Sequence, residues 1–139
     1  MTPDDYPAAA GKHVEDAGVL LRNRRFDGAG YLAGYAVECV LKTLIEVEGR
    51  HVRWTHDLNR LSTDAWQFAS LPSQRTARYV KSPAITTLRY DDLPGGWKET
   101  LRYTAPRTIS ETLATEWFQE ARRLHAEVIV PMKLDGVIP

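Results

Sequence analysis

Apolar residues along this chain recur every three or four positions, and the pattern is densest between Gly28 and Gly49, which reads GAGYLAGYAVECVLKTLIEVEG. Wound as a helix, the stretch sets Ala33, Ala36, Val37, Val40, Leu44 and Val47 on one face, with Tyr31, Tyr35, Glu38, Cys39 and Lys42 roughly opposite. A surface helix needs only one apolar stripe, so a helix that is apolar nearly all round is expected at the centre of a bundle. Glu38 and Lys42 are its polar exceptions. They lie four apart in the acid-then-base order that favours pairing, and burying either alone is costly.

The flanking segments repeat the same period. A first helix is expected from Asp5–Pro7 to about Arg25, with Ala10, His13, Val14, Ala17, Leu20 and Leu21 as its inward stripe and His13 as a packed, hydrogen-bonded core histidine. Phe26-Asp27-Gly28 makes the turn into the central helix, so the two are antiparallel neighbours. After Gly49, Thr55 is the expected N-cap, and Ser62 or Thr63 is expected to cap a further turn, giving one kinked or two short helices before Pro72. Residues 72–107, broken by Pro83, Pro94, Gly95, Gly96 and Pro106, hold neither period; short helices are expected around 73–81 and 97–103, joined by an extended piece through Ile85–Leu88. In the last helix, Thr108 and Glu111 have capping-box spacing, Leu113, Ala114, Trp117, Ala121, Leu124 and Val128 form the seam, and Pro131 is the expected stop. The expectation is an all-α, antiparallel up-and-down bundle of four to five main helices with an irregular insertion before the last. It forms one domain over residues 1–130, with a loosely held tail at 131–139.

Composition narrows the setting. The 139 residues suit a single domain, and acid and base balance to zero, which argues against a strongly basic nucleic-acid binder. The exception is local: between residues 72 and 107 the bases Arg75, Arg78, Lys81, Arg89, Lys98, Arg102 and Arg107 outnumber the acids Asp91, Asp92 and Glu99. A single cysteine, Cys39, excludes an intrachain disulfide and points to a reducing cytoplasm. No apolar run approaches the roughly 18 residues of a membrane span, and the N-terminus does not read as a signal peptide. The four histidines lack ligand-type spacing, so neither a metal nor a cofactor is expected; no phosphate-cradling glycine loop is present.

One block carries a resemblance. Residues 31–42, YLAGYAVECVLK, preceded by His13-Val14-Glu15-Asp16-Ala17 and followed by Thr55-His56-Asp57-Leu58 and Leu101-Arg102-Tyr103, resemble the HEPN (higher eukaryotes and prokaryotes nucleotide-binding) domain family, over roughly residues 9–128. The resemblance implies a small helical bundle that usually pairs as a homodimer. Many members are RNA-cutting toxins, or partners of a minimal nucleotidyltransferase in toxin–antitoxin and phage-defence modules. Active members cut RNA without metal, using an Arg followed after four to six residues by a His: the imidazole moves a proton, and the guanidinium neutralises the phosphorane. Only Arg50 with His56 has that spacing here, and it straddles the turn after the central helix, whereas the family's motif opens a later helix.

A binding role is therefore expected ahead of a ribonuclease with a rearranged site, or an adaptor for a nucleotidyltransferase. Arg102 and Arg89 are the expected phosphate contacts, with Tyr103 and Tyr90 as stacking partners. The alternative keeps Tyr103 and Trp97 on the core and Arg102 on a carboxylate such as Glu38. Glu38 and Lys42 read either as a structural pair or as a polar site for a nucleotide. Tyr31 and Tyr35 are expected at a dimer contact.

Overall fold

The computed structural model describes residues 4–72 and 74–139. Five α-helices follow one another: α1 (Tyr6–Arg22), α2 (Phe26–Val47), α3 (Leu58–Ala69), α4 (Glu111–Leu124) and α5 (Val130–Leu134), with 3-10 turns at Ala77–Tyr79 and Glu99–Tyr103. Helices α1, α3 and α4 all pack on α2. The architecture is the all-α bundle expected from the periodicity. Ala29, Ala33, Ala36, Val37, Val40, Leu41 and Ile45 have no accessible surface, and Glu38, Cys39 and Lys42 on the other side are buried too. Both faces of α2 are thus enclosed.

Helix ends follow side-chain chemistry, in places by residues other than those expected. Asp5 caps α1, accepting from the Ala8 N–H at 3.1 Å. Helix α3 starts at Leu58 because Asp57 accepts from the Arg60 N–H; Thr55 instead accepts from the Asp57 N–H, both at 3.1 Å. The expected break at Ser62 or Thr63 does not form: the Thr63 hydroxyl donates back to the Asn59 carbonyl at 3.0 Å, and the helix runs through. The capping box at Thr108 is likewise replaced, since Ser110 accepts from the Leu113 N–H at 3.1 Å.

Pro131 does not stop the last helix. A π-helical turn, His125–Ile129, joins α4 to α5, so the proline falls in the first turn of α5, where its missing N–H leaves no bond unmade. Continuation of the helix carries Met132 into the core, with Ile138 also buried. Asp135 accepts from the Tyr79 hydroxyl at 2.5 Å and meets Arg78 at 3.6 Å. Beyond Pro131 the chain is therefore held, not loose.

The irregular stretch has only two short 3-10 turns where longer helices were expected, and its order comes from long-range polar anchors. Glu48 accepts from the Thr76 N–H at 2.7 Å. The Asn59 amide pairs with both backbone groups of Tyr90, donating to its carbonyl at 3.0 Å and accepting from its N–H at 3.2 Å. Glu120, buried on α4, accepts from the Thr86 hydroxyl at 2.9 Å, the Thr87 N–H at 2.7 Å and Arg123 Nε at 2.7 Å. Its burial alone would raise the carboxyl pKa, but the bonds from Arg123, Thr87 and Thr86 outweigh that and hold it below the ordinary value. Trp97 is the apolar anchor. Fully buried, it lies flat on Gly34, where a Cβ would come within 2.0 Å of the indole. Its Nε1–H donates to the Tyr31 carbonyl at 3.2 Å.

Replacing Gly34 with Ala drives a methyl into Trp97, and urea unfolding should show a loss of about 3 kcal/mol or more. Glu120→Gln should cost about 2 kcal/mol near neutral pH. Because the folded Glu120 pKa lies below the unfolded value of about 4.3, its contribution is complete above that value and is lost as pH falls through the folded one. Parent and variant stabilities should therefore converge in acid; a constant gap down to pH 3 would contradict the assignment.

Candidate functional site

Where α2 passes the α2–α3 loop, a buried carboxylate organises the polar groups. Glu38 is 4% exposed, and its two oxygens have different partners: Lys42 Nζ donates to Oε2 at 2.9 Å, and His56 Nδ1 lies 2.8 Å from Oε1. Four-residue spacing along α2 supplies the lysine, and the cap at Asp57 supplies the histidine by ending the loop one residue after it. A carboxylate removed from water is tolerable only with its lone pairs engaged, and here both oxygens are. The Lys42 ammonium also lies 5.6 Å from the Tyr6 ring centre.

Tyr35 is the hub of the neighbouring aromatic group. Its ring centre is 5.0 Å from Tyr31, 5.3 Å from Trp97, 5.6 Å from His56 and 6.1 Å from His13. Burial first, then the hydroxyl contact with Tyr31, pushes the Tyr35 phenol well above its usual range, so it stays neutral. Burial, and then the charge of Glu38, raises the Cys39 thiol to about 12, which removes it as a nucleophile. His13 is packed as expected, but its Nδ1 has no hydrogen-bond partner among the described residues; burial, then Lys12, lowers its pKa.

A cavity of about 340 Å³ opens beside the carboxylate cluster, lined by Tyr6, Cys39, Lys42, His51, Trp54 and His56 among others. The His56 side chain is 38% exposed, and Trp54 stands fully in solvent at the rim. Arg53 is tied to Asp64 at 2.7 Å and so fixes the loop that carries both. With Glu38 holding Nδ1, the other imidazole nitrogen is left to exchange a proton with a molecule in this cavity.

The other sequence-selected residues fall into two sets. Arg102 and Tyr103 lie outside: the guanidinium carbon is 4.8 Å from the Tyr103 ring centre, Arg102 Nη1 reaches the Tyr31 hydroxyl at 3.5 Å, and Tyr103 is 74% exposed. Pairing of Arg102 with Glu38 is excluded because Lys42 and His56 hold that carboxylate, and Tyr103 does not cap the core. Arg89 and Tyr90 are engaged internally, Arg89 with Asp91 at 3.0 Å and the Tyr90 hydroxyl with Glu99 at 2.6 Å. Burial and the Glu99 bond raise the Tyr90 phenol pKa. Arg50 lies over the Phe68 ring at 5.3 Å while His56 faces Glu38, so the two take different partners. Trp54, Tyr6 and His51 carried no sequence signal as site residues, because only the loop's path brings them to the cavity. No group of three or more His, Cys, Asp or Glu among the described residues is placed to hold a metal ion, and no helix among them is long and apolar enough to cross a membrane.

The family model described as HEPN domain matches residues 5–130. No curated protein and no solved structure matches the chain. The family match spans α1 through the π-helical turn, including the buried Glu38–Lys42–His56 cluster and the Arg102–Tyr103 turn. The chain belongs to the HEPN domain family.

Proposed function

We propose that this HEPN domain is the nucleotide- or RNA-binding component of a toxin–antitoxin or phage-defence type system. It acts as a cytoplasmic homodimer, and its task is binding. The observation that carries this reading is the Arg102–Tyr103 couple. An exposed guanidinium stacked beside an exposed phenol, and paired with no carboxylate among the described residues, offers a phosphate contact and a base-stacking surface side by side. Arg89, only thirteen positions earlier, is by contrast already neutralised by Asp91. The second subunit, in this reading, lies along the Tyr31 and Tyr35 side of α2 and extends the binding strip across both copies.

A catalytic reading has one observation in its favour, the Glu38–His56 contact of 2.8 Å beside an open cavity. A carboxylate that orients an imidazole is the arrangement general acid–base chemistry on a ribose 2′-hydroxyl uses, and Lys42 brings a positive charge near it. It differs from the family's Arg–His pair, because Arg50 faces Phe68.

Two measurements separate these readings. In a fluorescence-anisotropy titration with a short single-stranded oligoribonucleotide, Arg102→Ala should weaken binding about tenfold and flatten its salt dependence. Equal affinity of parent and variant would remove the couple as the contact. Expression of the parent in a bacterial host should not arrest growth if binding is the task. Arrest that His56→Ala relieves would establish the catalytic reading in its place.

A further inference from the structure

At the end of the bundle where α2 and α4 begin, a second cavity of about 520 Å³ is lined by Arg24, Arg25, Phe26, Asp27, Gly28, Pro106, Arg107, Ile109 and Ser110. Three arginines thus converge on one hollow from two segments more than 80 positions apart. The single carboxylate in the wall does not neutralise them. Both oxygens of Asp27 are taken by backbone donors, the Arg107 N–H at 2.6 Å and the Ile109 N–H at 2.8 Å. Arg25 and Arg107 have no ion-pair partner among the described residues. Arg24 touches Glu111 at 3.4 Å, with both side chains mostly in solvent, a pairing too weak to hold it against a stronger anion.

The backbone sharpens the point. Arg24 and Arg107 are the non-glycine residues with positive φ, at 60° and 66°, and they stand on the two sides of this hollow. Arg24 closes α1 in the motif by which α2 and α5 also end: the residue beyond it donates to the carbonyl five back, Arg25 to Leu20 at 2.8 Å, as Arg50 does to Ile45 and Val137 to Met132. At the equivalent position α2 has Gly49 and α5 has Gly136. Helix α1 alone places a long cation where this geometry favours glycine, and it does so at the rim of a cationic cavity.

We propose that this cavity is an anion site for the phosphate group of a nucleotide or of RNA. Arg25 and Arg107 contact the oxygens, and Arg24 swings from Glu111 to complete the set. Phe26, Pro106 and Ile109 supply an apolar wall for the attached sugar or base. The free N–H groups in the first turn of α2, whose cap makes no side-chain bond, add a favourable dipole. The site deepens the binding role assigned above and rests on it for its natural ligand. Its chemistry is separate from the Arg102–Tyr103 couple, so each can fail alone.

The test uses the double variant Arg24→Gly/Arg107→Gly, since glycine fits both backbone conformations and only the charges leave. Its melting temperature should equal or exceed the parent's. Titrations at low salt with inorganic phosphate, a nucleoside 5′-monophosphate and an oligoribonucleotide lacking terminal phosphates should show parent binding that the double variant weakens at least tenfold. Arg102→Ala should leave phosphate and monophosphate binding unchanged. Competition by the oligoribonucleotide would identify the source as the RNA backbone; competition by the monophosphate alone would identify a terminal phosphate. A parent that binds none of the three, or a folded double variant that binds all three as well as the parent, overturns the site. Loss of oligoribonucleotide binding in Arg102→Ala, with none in the double variant, would leave the binding role standing and remove this cavity from it.

Discussion

Enclosing α2 on both faces is the constraint from which the remaining structure follows. A helix whose flanks are all covered has to find, inside the protein, a partner for each polar side chain it carries. Glu38 meets that demand by dividing its oxygens between Lys42 on its own helix and His56 on the next loop. The same electrostatic requirement therefore ties the α2–α3 connection down and sets an imidazole at the edge of a cavity. Stability and the capacity for chemistry come from one interaction here.

The second half of the enclosure is provided by a segment without regular structure. Trp97 approaches α2 closely because Gly34 has no side chain, and its indole nitrogen reaches the Tyr31 carbonyl. Once the indole is seated, the neighbouring 3-10 turn is carried to the protein surface beside Tyr31, which puts Arg102 and Tyr103 in solvent. Exposure of that couple is thus a consequence of burial one turn earlier. The arginine-lined hollow at the start of α2 has a comparable origin. Asp27, by accepting from Arg107 and Ile109, pulls the end of the irregular segment against the α1–α2 turn and gathers their cations into one place.

A zero net charge conceals this distribution. Acids are spent inside the fold as anchors, with Glu38, Asp64 and Glu120 buried and bonded, while several arginines remain outward. A balanced chain can in this way present a basic surface where the irregular segment and the helix starts come together.

Read alone, the amino-acid order determined the helices and their centre: the periodicity of residues 28–49 marks α2 as enclosed, Asp5 marks the start of α1, and the seam from Leu113 to Val128 marks α4. These features depend on residues a turn apart, and local spacing records them. Only the tertiary structure decided the course of residues 72–107, whose anchors join Thr76 to Glu48, Tyr90 to Asn59 and Thr87 to Glu120 across about 28 to 33 positions. It also decided that a π-helical turn carries the chain past Pro131, that His56 rather than Arg102 meets Glu38, and that Arg24, Arg25 and Arg107 share a hollow. Such pairings are absent from any short window of sequence, because what selects them is the geometry of burial, which exists only once the helices have packed.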